Sequence, residues 1–191
     1  MILKAFAFLP LLLVPLDFRI DWSDSSYQAI NVLLSGYNET VERCIQSGLE
    51  VRYRYELQLC RRRTMWFHSC KDKTVVLRTL EFDPITQHYK VLRDTLGDGR
   101  SGLSSRAASL EEGLSALSSV SGFPLDVLTD GDDSFMEASK LYVSARVVAT
   151  CRGQYNETLA RIGYLLTLGL VKISALNTGW IDFNLDRGAE R

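Results

Sequence analysis

Between residues 49 and 59 the chain alternates without a fault. Leu49, Val51, Tyr53, Tyr55, Leu57 and Leu59 hold the odd positions, and Glu50, Arg52, Arg54, Glu56 and Gln58 the even ones. Side chains along a strand point to opposite faces with a period of two, so this run buries one face and wets the other. Wound as a helix, the same residues would split between two opposite sides of the axis and give no single apolar face. A strand that is buried on one face belongs to an antiparallel sheet, whereas the strands of a parallel sheet are covered on both sides.

The elements that follow continue in the same class. Residues 74–82 read as a second strand, apolar on both faces. Asp83-Pro84-Ile85-Thr86 reads as a turn, because proline presets the backbone and the Asp83 carboxylate can bond ahead to it. Residues 88–94 read as a third strand, which makes a meander. Upstream, residues 18–21 and 27–34 are two short strands. Asn38 caps a helix that carries Glu39 and Glu42 in its first turn and stops at Ser47-Gly48. Residues 98–106 are rich in Gly and Ser and read as a loop. Ser109-Leu110-Glu111-Glu112 is a capping box that opens a second helix with Leu110, Leu114 and Leu117 on its inner face. Residues 141–150 form a strand and residues 180–185 a last one, with a third helix starting near Asn156. Tyr37-Asn38-Glu39-Thr40 recurs as Tyr155-Asn156-Glu157-Thr158, and both copies are good helix starts. The expected fold is therefore α+β, mainly an antiparallel meander with two or three covering helices.

Residues 1–16 stand apart. One lysine precedes an uncharged apolar run that is too short to span a bilayer as a helix and of the length of a signal-peptide core. The expected organisation is a signal peptide or N-terminal anchor over residues 1–16 and a single domain over residues 17–187. Lys and Arg number 22 against 23 Asp and Glu, for a net charge of -1. That balance lacks the basic excess of a nucleic-acid binder, so no nucleic-acid partner is expected. The 46% hydrophobic content supports a sizeable core.

Candidate chemistry is sparse. The chain has four cysteines, none spaced Cys-x-x-Cys, so a zinc site is not expected. Cys60 and Cys70 flank the connection between two strands and can face each other as a disulfide; the alternative is four buried thiols. Arg61, Arg62 and Arg63, with Trp66 and His68 close behind, form a basic aromatic cluster suited to an anion, an aromatic ligand or an anionic membrane surface. Glu81 and Asp83 share a strand face, and Asp130, Asp132 and Asp133 make an acidic turn without the rest of a calcium loop. No nucleophile elbow, zincin motif or phosphate-cradling glycine loop occurs, so neither cofactor nor metal is expected.

Several of these segments resemble a known family. Ser47-Gly48-Leu49-Glu50-Val51, Tyr55-Glu56-Leu57, Arg61-Arg62-Arg63 and Trp66 resemble the bacterial envelope family called domain of unknown function 4390. The run from Phe82 to Val91, the Ser109–Leu114 helix start and Trp180 are similar to later parts of it. The resemblance spans residues 18–185 in order. It implies a small exported bacterial protein of no assigned activity, and it transfers no catalytic residue. The leading expectation is a non-catalytic periplasmic or envelope-associated binding module, whose partner is another envelope protein or a membrane surface. The alternatives are a small envelope enzyme using residues 61–68, and a structural factor tethered to the inner membrane and facing the periplasm.

Overall fold

The computed structural model describes residues 17–22, 29–35, 39–62, 68–96, 101–129, 131, 141–152 and 176–185. Its spine is β3 (Glu50–Arg62), which contains the alternating run. Val51, Tyr53, Tyr55, Leu57 and Leu59 are all fully buried. Along one side β3 pairs with β9 (Leu141–Arg152) over nearly its whole length. Along the other it pairs with β5 (Thr74–Asp83) and then with the short β4 (His68–Cys70). The sheet continues through β6 (His88–Leu96) to β7 (Ser101–Ala107), and β10 (Leu176–Asn177) and β11 (Ile181–Asn184) add to the far side of β9. All of these pairings are antiparallel.

A second sheet of three strands has the order β1 (Asp17–Trp22), β2 (Ala29–Ser35), β8 (Ser119–Pro124). Ile30, Val32 and Leu34 of β2, and Val120 and Phe123 of β8, join one apolar core with the inner face of the large sheet. Among the described residues three helices join that layer: α1 (Glu39–Gln46), α2 (Leu110–Ser118) and the single turn α3 (Asp126–Thr129). The fold is α+β with antiparallel sheets, as the patterning implies.

Local signals place the helices. α1 ends in a Schellman arrangement: Leu49 N–H donates to Cys44 O at 3.0 Å and Gly48 N–H to Ile45 O at 2.9 Å, while Gly48 takes φ +73°. A residue with a Cβ is strained there. Ser109 Oγ accepts from Glu112 N–H at 3.1 Å, and Glu112 Oε2 reaches back to Ala108 N–H at 2.8 Å. α2 lies so close to the sheet that a Cβ on Gly113 would stand 2.9 Å from Leu80 Cδ1.

One expectation needs correction. Residues 101–107 are an edge strand rather than a loop. Gly102 to Arg106 are exposed there, so the strand is held by its ladder with β6 and its side chains contribute little packing. β8 and α3 carry no periodicity long enough to read from sequence. The expected helix near Asn156, with its repeated tetrapeptide, and the acidic residues Asp130, Asp132 and Asp133 lie outside the described residues.

Candidate functional site

The end of β3 positions the basic residues singled out in the sequence. Cys60 pairs across to Cys70 with Cα atoms 4.1 Å apart, and a disulfide joins them. Gln58 Nε2 donates to Lys71 O at 2.8 Å, and Lys71 N–H to Leu59 O at 2.9 Å, so two further bonds pin the base of this connection just below the bridge. Arg61 and Arg62 are consecutive on a strand and therefore project to opposite faces. Arg62 lies over the Tyr142 ring at 5.4 Å. Burial raises the Tyr142 hydroxyl pKa and the nearby Asp182 adds to it, against the opposing charge of Arg62. His68 contributes backbone pairing opposite Arg62. Arg63, Trp66 and the His68 side chain fall outside the described residues.

The carboxylates near the turn serve the fold. Asp83 Oδ1 accepts from Ile85 N–H at 2.9 Å and from Thr86 N–H at 3.4 Å. The Ile85 bond, then those to Thr86, hold the Asp83 carboxyl below its ordinary range. Glu81 stands exposed, opposite Lys90. Among the described residues no three potential metal ligands cluster.

Two other groups of charges were not singled out in the sequence. On the outer face, Glu56 is only 3% exposed although it occupies a polar position of the alternation. Arg146 directly opposite donates Nε to Glu56 Oε2 at 3.0 Å and brings Nη2 to the same oxygen. Arg54 Nε lies 3.0 Å and Lys73 Nζ 3.7 Å from Oε1. Burial pushes the Glu56 carboxyl up, but the bond to Arg146 and the charges of Arg146, Lys73 and Arg54 outweigh it and leave the pKa low. Trp180 covers Arg146 at 4.9 Å, a cation–π contact that closes the cluster.

The inner face carries the second group. Tyr53, Arg78, Arg93 and Leu103 stand in one row across four neighbouring strands. Arg78 is only 8% exposed, flanked along β5 by the buried Val76 and Leu80. Its Nε has no hydrogen-bond partner among the described residues. Burial lowers its pKa, and the facing Arg93 lowers it further. The Tyr53 hydroxyl is buried and also without a partner among the described residues, and burial pushes its pKa up to about 12. Tyr55 differs, since its hydroxyl donates to Leu117 O at 2.7 Å. Toward the β7 edge the row opens, with Arg93 exposed and Leu103 69% exposed. One sequence signal exists for this group: Arg78 falls in phase with the core positions Val76 and Leu80 of β5, where a charge breaks the apolar face.

Comparison with known proteins bears on the whole arrangement. The family described as Domain of unknown function (DUF4390) matches residues 17–148 of the 191. The chain belongs to this family. The DUF4390 match runs from the start of β1 into β9, so it includes Glu56, Arg61, Arg62, Arg78, Arg93 and Arg146. Trp180 and the strands β10 and β11 lie beyond it. No curated protein and no solved structure matches the chain.

Proposed function

We propose that this DUF4390 protein is exported and acts in the bacterial envelope as a non-catalytic binding module, free in the periplasm or held at the inner membrane by residues 1–16. Its partner is another envelope protein or the membrane surface. The observation that carries this reading is the pairing of all four cysteines: Cys60 with Cys70, and Cys44 with Cys151 across 107 residues. Two disulfides that close every cysteine suit an oxidising compartment, because cytosolic thiols are kept reduced. The apolar segment ahead of β1 supplies a route there. No helix among the described residues is long and apolar enough to cross a membrane. A binding role agrees with a family of no assigned activity and with carboxylates committed to a turn and an ion cluster.

Fractionating a bacterial host that expresses the full chain tests this. Alkylation without reductant is expected to leave all four cysteines unlabelled in the envelope fraction, and mass spectrometry of the N-terminus reports whether residues 1–16 remain. A folded protein in the cytosolic fraction with reactive thiols would sink the reading.

A further inference from the structure

An arginine held largely buried in a sheet face, with its Nε unpartnered and no counter-ion among the described residues, is an unusual thing for a fold to hold. An unpaired buried charge is strongly destabilising, so cations in such places are nearly always matched by a carboxylate. Arg78 has no such match among the described residues. The titratable groups that act on it are Arg93, which adds a second positive charge, and the neutral phenol of Tyr55, whose proton is already committed to Leu117 O. The Tyr53 hydroxyl, beside Arg78 in the same row, is buried with no partner among the described residues.

We propose that Tyr53, Arg78 and Arg93 form a binding site for a phosphate monoester, entered from the β7 edge of the large sheet. The chemistry of the row selects this class. Guanidinium groups only donate, and the Tyr53 hydroxyl, unpartnered among the described residues, has a proton to give. Two positive charges match a phosphate monoester, which carries about -1.5 to -2 near neutral pH, better than they match one carboxylate. Arg93 lies at the exposed end, where a ligand first meets the site, and Arg78 at the buried end, where a charge-assisted bond is strongest. Leu103, exposed beside Arg93, gives an apolar ledge for whatever the phosphate is attached to. This site rests on the binding-module reading and gives it a ligand. Loss of phosphate binding with the disulfides and envelope location intact would remove the site and leave the exported module standing.

The test uses the full, disulfide-bonded chain and inorganic phosphate, titrated at constant ionic strength and followed by calorimetry and by Tm. Wild type is expected to bind saturably and to gain Tm. Arg93→Gln, at an exposed position, should fold normally and bind roughly tenfold to a hundredfold more weakly, the effect of losing one charge-assisted contact. Arg78→Met should lose the phosphate response and match or exceed the wild-type Tm in phosphate-free buffer, because it removes an uncompensated charge. Wild type without saturable binding, or variants that respond like wild type, would overturn the proposal. So would an Arg78→Met chain that is less stable without phosphate or fails to fold, since its guanidinium would then already have a partner within the chain. Two further probes identify the source of the phosphate. Retention on phosphatidic acid vesicles that Arg93→Gln abolishes assigns a lipid headgroup. Binding of glycerol 3-phosphate without vesicle retention assigns a soluble ligand, and binding of neither overturns the monoester assignment.

Discussion

Tyr53 and Tyr55 lie two residues apart on the same face of β3, yet their hydroxyls meet opposite fates. That of Tyr55 donates to Leu117 O, and that of Tyr53 has no partner among the described residues. Removing a bonded hydroxyl strands a buried carbonyl, whereas removing an unbonded one relieves a desolvated group. Tyr55→Phe is therefore expected to lower unfolding free energy by about 1–2 kcal/mol. Tyr53→Phe in phosphate-free buffer should be neutral or stabilising; urea denaturation of the pair checks both. Glu56 gives a second contrast. Its pKa is low because Arg146, Lys73 and Arg54 outweigh the effect of burial. A carboxylate with a depressed folded pKa stabilises fully above its unfolded value, about 4.3, and loses that contribution as pH falls through the folded one. Glu56→Gln should thus cost about 2 kcal/mol at pH 7. The gap from wild type should shrink as urea midpoints are taken at successively lower pH beneath about 4. A gap unchanged down to pH about 2 would rule out the ion cluster as its origin.

At the scale of elements, α2 shows how a local signal and a packing constraint combine. Its start is written in Ser109 and Glu112, which exchange bonds with the first turn and the residue before it. Ser109→Ala should cost about 1 kcal/mol, read as a shift in the denaturation midpoint. Its seat on the sheet depends on Gly113, which leaves Leu80 and Tyr89 room beneath the helix. Gly113→Val is expected to destabilise by about 1–3 kcal/mol through overpacking, despite the poor helix propensity of glycine. The same element explains how far the sequence could be read. The capping box and the Leu114–Leu117 face are local, so they were legible. That α2 ends over Tyr55 is a contact across 62 residues, and no pattern within the helix announces it. β7 makes the complementary point, because pairing with β6 overrides a composition that favours a loop.

For the whole molecule, the disulfides tie distant parts of the chain together. Cys44–Cys151 fastens α1 to β9 over 107 residues, and Cys60–Cys70 closes only ten. Chain entropy in the unfolded state makes the longer loop the stronger constraint. Replacing Cys44 and Cys151 by Ser should cost about 5 kcal/mol, and replacing Cys60 and Cys70 about 3 kcal/mol. Thermal unfolding of the two double variants would show the order, and a reversal would count against the entropic account. The outer face holds a similar long-range tie, since Trp180 near the end of the chain covers Arg146, which grips Glu56 in the middle of β3.

By itself the sequence determined the elements whose physics is local: the alternating strand, the Asp83 turn, the Gly48 helix stop and the Ser109 cap. Each depends on neighbours a few residues away, and each is settled by backbone geometry and side-chain period. It also determined that the two sides of β3 would differ, one apolar and one charged. Only the tertiary structure decided which strands lie beside β3. It set β9 there from some ninety residues downstream, opposite Glu56 with Arg146, and made Cys151 the partner of Cys44. It also placed the two arginines of β5 and β6 side by side on the inner face. Strand neighbours are chosen by burying surface shared between distant segments, so no window of sequence contains both halves of the choice.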